Sequence, residues 1–155
     1  MRSKVGAGIL AGLAAGVVFG IMMQLMTVPA EGGMRMPMMA MVARVVRSDS
    51  ILVGWLYHLF NSAAIGALFA VVLGIRARSY GSGAGWGLIY GGAWWILGAQ
   101  ILMPLFLRMP AFASLRMPPM RGMALGSLAG HLVYGLVLGI GFVKLRQPST
   151  GTRAS

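Results

Sequence analysis

A chain of 155 residues that is 58% hydrophobic, 10% charged and free of cysteine excludes a disulfide framework, a Cys-ligated zinc or iron–sulfur site and a thiol nucleophile. It departs from soluble composition towards that of a membrane protein. The net charge of +11 would suit nucleic acid only if the basic residues shared one water-facing surface; instead they flank four long apolar runs, and no nucleic-acid partner is expected.

Those runs are Val5 to Met26, Ile51 to Ile75, Gly83 to Leu107 and Met123 to Val143, none of which contains Asp, Glu, Lys or Arg. Each reaches the roughly 20 helical residues needed to cross a hydrocarbon core. The first also has the look of a signal peptide, with Arg2 and Lys4 before it and Val28-Pro29-Ala30 after it. Its length exceeds an h-region of about 7 to 15 residues, so a retained helix is expected. Gly8, Gly12, Gly16 and Gly20 recur every four residues along it, a spacing that lets two helix backbones approach closely.

The loop that follows contains "MRMPMMAM" at residues 34 to 41. Within it "MMAMVARVVR", residues 38 to 47, reads as a short interfacial helix with Arg44 and Arg47 on one side and methionine and valine towards lipid. The second run carries His58, Ser62, Gly66 and Ala70 at i, i+4 spacing, which puts the histidine on a small-residue stripe facing other helices. The third run repeats the glycine spacing at Gly83, Gly87 and Gly91, and the loop after it holds "RMPPM", residues 116 to 120. The fourth run carries His131, Gly135 and Gly139, again one stripe.

The second half of the chain echoes the first. A shift of 73 residues lays "HLFNSAAIGALF" over "HLVYGLVLGIGF", aligning the only two histidines; a shift of 76 aligns Gly16 with Gly92 and Gln24 with Gln100; a shift of 81 aligns "RMPMM" with "RMPPM". The expected architecture is therefore an all-α, four-helix transmembrane bundle built from two parallel two-helix repeats, about 5–75 and 83–143. It forms a single four-span membrane domain over 1–147, with a disordered polar tail at 148–155. Basic residues number seven on the face holding both termini (Arg2, Lys4, Arg76, Arg78, Lys144, Arg146, Arg153) and six on the other (Arg35, Arg44, Arg47, Arg108, Arg116, Arg121). This bias directs both termini of a multi-pass cell-membrane protein to the cytoplasm.

Ionisable groups inside spans are costly and functional by default. His58 and His131 lie seven and eight residues into spans that start on the same face, or roughly 10 to 12 Å at 1.5 Å per residue. Gln24 and Gln100 are expected near that layer, and the four form a candidate cofactor site. Of the fourteen methionines, all but Met1 lie towards that face. Thioether sulfur suits Cu(I), and imidazole binds copper as well, so His58, His131, Met34, Met36, Met38, Met39, Met117 and Met120 are candidate metal ligands. Two histidines at one depth also suit haem b. Packing is the plainer role for methionine, and a carbonyl or glutamine contact the plainer one for histidine. Trp55, Tyr57, Trp86 and Tyr90 suit interfacial belts, while Trp94 and Trp95 sit deeper, against a flat cofactor or the bundle itself.

No Gly-x-x-x-x-Gly-Lys-Ser/Thr is present, and Glu31 and Asp49 are the only acids, so nucleotide hydrolysis and paired-carboxylate chemistry have no residues to carry them. "GWGLIYGGAWWILGAQILMPLFL" followed by "GSLAGHLVYGLVLGIGF" resembles small four-helix prokaryotic membrane proteins of unknown function, mainly over residues 83–143. The resemblance implies the fold and carries no catalytic residues. The expected function is non-enzymatic: an accessory or cofactor/metal-binding membrane protein holding Cu(I) or haem between the second and fourth spans. Its expected partners are the lipid bilayer and a larger membrane complex or a second copy of itself. The alternative is a small permease or channel lined by the histidines and glutamines.

Overall fold

The computed structural model describes residues 3–29 and 31–147. The expected polar tail at 148–155, Ala30 of the cleavage pattern, and Arg2 and Arg153 of the charge count lie outside the described residues. In chain order the elements are α1 (Lys4–Leu25), β1 (Thr27–Pro29), β2 (Arg35–Pro37), α2 (Met38–Val45), α3 (Ile51–Val72), α4 (Tyr80–Trp94), a π-helical segment (Trp95–Leu102), α5 (Met103–Phe106), α6 (Ala113–Arg116) and α7 (Arg121–Arg146). Helix α4, the π segment and α5 form one continuous third span, Tyr80–Phe106.

The bundle is packed inside out relative to a water-soluble one. Along α1 the buried positions are small, with Ala7, Ala11 and Ala15 at 0–1% exposure, while Val17, Ile21 and Leu25 point outward at 45, 50 and 78%. In water, exposing large aliphatic side chains would forfeit about 25 cal/mol per Å²; in hydrocarbon it costs nothing, and close packing of small residues becomes the force that joins helices. Four helices are long and apolar enough to cross a membrane, and the chain is a multi-span helical membrane protein.

Glycines set the helix contacts. A Cβ on Gly8 or Gly12 of α1 would collide with the Gly66 or Ser62 carbonyl oxygen of α3, and one on Gly83, Gly87 or Gly91 with the carbonyl oxygens of Gly139, Gly135 and His131 on α7. Gly92, which the shift of 76 aligned with Gly16, faces open space. The position that meets the neighbouring helix as Gly16 does is Gly91, about 100° around the helix. Helix α1 also packs along α7, so the lateral order is α3, α1, α7, α4. The outer pair is bridged by side chains: Tyr90 Oη donates to the Ile65 carbonyl at 2.8 Å, and the Phe69 and Tyr90 rings meet edge to face at 5.3 Å.

The first Met-rich loop is folded. Strands β1 and β2 pair antiparallel, Val28 opposite Met36, around a turn where Gly32 and Gly33 take φ of 70° and 75°, values that glycine adopts without a Cβ penalty. Arg35 Nε donates to Thr27 Oγ1 at 2.8 Å and closes the hairpin. The helix expected after it is α2, but its orientation differs from expectation. Met38, Met39 and Ala43 are buried instead of facing lipid, because Gly54 lets the Met39 carbonyl of α2 sit directly on α3.

Candidate functional site

A cavity of about 430 Å³ opens between α3 and the third span, with α1 and α7 as its floor and α2 at one end. It exists because α3 and the third span do not pack closely against each other and because the third span changes its winding beside it. From Trp95 to Leu102 the helix is π-helical, and Met103 N–H donates to the Gly98 carbonyl five residues back. Pro104, four residues after Gln100, has no N–H to give the Gln100 carbonyl, which accepts instead from Phe112 N–H at 2.7 Å. Such π segments concentrate at functional sites; here Gly98, Ala99 and Leu102 of the segment line the cavity. Leu68, Leu102 and Phe106 belong to the lining and are also exposed at 45, 39 and 63%. They mark a mouth on the lipid-facing seam.

Both histidines line this one cavity. His58 Nε2 lies 2.9 Å from the Gly16 carbonyl oxygen across the α1–α3 contact. His131 Nδ1 lies 2.8 Å from the Ser127 carbonyl oxygen of its own helix. A carbonyl can only accept, so each of those nitrogens carries the proton and a neutral imidazole keeps its lone pair on the other, Nδ1 of His58 and Nε2 of His131. Fixing one ring nitrogen on a backbone carbonyl is the usual way a protein presents the other to a ligand. Phe19 stands edge-on to both rings, with centroids 5.6 Å from His58 and 4.8 Å from His131. Phe19 therefore packs against both imidazoles at once.

The glutamines are placed elsewhere. His58 is level with Gly16, and Gln24 is eight residues further along α1, about 12 Å; its Oε1 accepts from Trp55 Nε1 at 3.3 Å. Gln100 is buried at 1% exposure, and its Oε1 accepts from Ser114 Oγ at 2.7 Å. With its backbone carbonyl on Phe112, it fastens the second Met-rich loop to the third span. Neither glutamine lines the large cavity. The methionines also divide. Met38 lines the large cavity, and Met38 and Met120 line a second, smaller one. Met39 is buried in the core with Met36 packed against it, and Met34 and Met117 point outward at 69 and 47%. Trp94 lines the large cavity, whereas Trp95 donates from Nε1 to the Ala124 carbonyl at 3.2 Å.

Phe19, Asn61 and Tyr134 of the lining escaped the sequence reading, and Tyr57, expected in an interfacial belt, lines the cavity as well. Asn61 carried a readable signal, an amide inside a span and one turn from His58. Tyr134 Oη donates to the Ser62 carbonyl at 2.8 Å, tying α7 to α3 beneath the cavity. Among the described residues no three His, Cys, Asp or Glu side chains gather as a metal site. No protein family model, no curated protein and no solved structure matches the chain.

Proposed function

We propose that the chain is a non-enzymatic membrane binding protein that takes a lipophilic molecule with a hydrogen-bond-donating head from the bilayer into the cavity between α3 and the third span. The carrying observation is the pair of carbonyl-anchored imidazoles on one apolar cavity whose mouth faces lipid. The size lies in the range of small-molecule sites, which are mostly apolar with a few placed polar groups. Two ring nitrogens with lone pairs ask for donors, so a hydroxyl-bearing head on an apolar tail suits the site better than a macrocycle shared by both histidines. Within such a site His58, His131 and Asn61 orient the head, and Trp94 and Phe106 flank the tail.

The packing supports reading the chain as two parallel two-helix repeats. Gly8 and Gly12 stand to α3 as Gly83 and Gly87 stand to α7, each meeting a carbonyl of the partner helix. The cytoplasmic reading of the termini rests on the count of seven basic residues to six in the full sequence. The test is a titration of the detergent-solubilised protein with a long-chain alkylphenol and its methyl ether, read by protein thermal stabilisation. The phenol is expected to bind about 5- to 10-fold more tightly, the worth of one hydrogen bond in such a site. Equal affinity for the two compounds, or none for either, overturns the proposal.

A further inference from the structure

The smaller cavity, about 40 Å³, lies between α2, the end of the third span and the start of α7, and six methionines line it: Met38, Met41, Met103, Met109, Met120 and Met123. They come from both Met-rich loops and from the helix ends beside them, so the two halves of the chain meet here through sulfur. Sulfur is a soft donor, and thioethers select Cu(I) over the harder divalent ions. The rest of the lining reinforces that choice. Gln100 and Ser114, its polar members on the third span and α6, are already bonded to each other, and no His, Cys, Asp or Glu belongs to the lining. A divalent cation would bring two charges into an apolar surrounding with no anionic donor to offset them. A singly charged soft ion brings one, and meets neutral polarizable donors. The volume admits a small occupant, since about 10 to 15 Å³ of such space already holds one water.

Methionine clusters also arise as plain packing, because the side chain is flexible and fills irregular gaps. Two observations distinguish this cluster. Six methionines line one cavity, and the loop carrying Met109 and Met120 is held against the third span by both carbonyl oxygens of Gln100. Donors fixed in this way lose less freedom on closing around an ion.

We infer that this cavity is a Cu(I) site, formed by thioethers from both Met-rich loops and adjoining the histidine cavity, with which it shares Met38 and Met103. The six methionines exceed the three or four donors that such an ion needs, and the ion selects among them. The site takes Ag(I) as well and leaves Zn(II) unbound.

The experiment uses the full chain in detergent under anaerobic conditions, with Cu(I) competed against a chromophoric Cu(I) chelator. One equivalent of Cu(I) is expected per chain, with a near shell of sulfur in its X-ray absorption spectrum. The triple variant Met41→Leu, Met109→Leu, Met120→Leu, at positions that line the smaller cavity and not the larger, keeps volume and apolarity, and should weaken binding by about tenfold or more. The double variant Met34→Leu, Met117→Leu, at outward-facing positions, should bind as wild type. Absence of binding to the wild-type chain, a nitrogen-dominated shell, or unchanged affinity in the triple variant overturns the inference. Should the triple variant fail to fold, the wild-type absorption spectrum alone decides between sulfur and nitrogen. Binding of the alkylphenol to the larger cavity is read separately, so either assignment can fail without the other.

Discussion

The α1–α3 and α4–α7 contacts use the same device and put it to different ends. In both, three glycines at four-residue spacing admit the partner helix, Gly83, Gly87 and Gly91 each meeting a carbonyl of α7, Gly8 and Gly12 a carbonyl of α3 and Gly16 the Ser62 side chain, and in both a histidine stands at the end of the stripe. On the first contact His58 reaches across to the Gly16 carbonyl and becomes part of the joint between two helices. On the second, the His131 backbone carbonyl meets Gly91, and its ring turns back on Ser127 of its own helix. The ring bond of His131 therefore joins no helices. A packing motif used twice thus bonds one histidine ring across a helix contact and the other within its own helix.

The largest expected effect tests the packing common to both contacts. Gly87→Val drives a side chain into the Gly135 carbonyl and should cost about 2–3 kcal/mol or more, as overpacking does when backbone must move. Gly92, one residue past the Gly83, Gly87, Gly91 stripe, faces open space, and Gly92→Val should stay within about 0.5 kcal/mol of wild type. Unfolding titrations in mixed detergent measure both. Equal losses would mean that the third span is rotated from the orientation described above.

Next in size is the contrast between the histidines. His58→Ala removes an interhelical bond and leaves the Gly16 carbonyl without its side-chain partner, and should cost about 1–2 kcal/mol of stability. His131→Ala removes a bond within one helix and should cost less than half of that, while abolishing more of the alkylphenol affinity. The comparison breaks if the two variants lose stability equally. A smaller effect sharpens it. Tyr134→Phe and Tyr90→Phe each delete one bond to an α3 carbonyl and should cost about 0.6 kcal/mol apiece, the average for such bonds between membrane helices. The smallest belongs to Arg35→Ala at the exposed hairpin, within about 0.5 kcal/mol and visible mainly as faster proteolysis between residues 27 and 37.

Much of the scaffold was readable from residue spacing. The four spans, the inward stripes through His58 and His131, and a helix from Met38 all follow from periodicity, because lipid-facing and helix-facing positions differ in size at intervals of about 3.6 residues. The candidate site was readable only in its histidines. Placing Gln100 in their layer assumed 1.5 Å of rise and 100° of turn per residue, and the π-helical winding from Trp95, with Pro104 beyond it, breaks both assumptions. Gln24 was misplaced for a simpler reason: depth was counted along each helix, whereas the His58 ring is level with Gly16 of its neighbour. The burial of Met38 and Met39 depended on Gly54, twelve residues or more away in sequence, whose missing side chain admits α2. Phe19 resembled any other apolar residue of a span, and its contact with both imidazoles is a property of three helices together.

The most direct test of the lipid-facing histidine cavity is native mass spectrometry of the protein extracted from its own membrane, as wild type and as His131→Leu. The wild type should carry one discrete lipophilic adduct distinct from bulk phospholipid, and the variant should lose it while keeping its unfolding midpoint. A wild-type chain without such an adduct, or a variant that retains it at the same occupancy, would contradict the account.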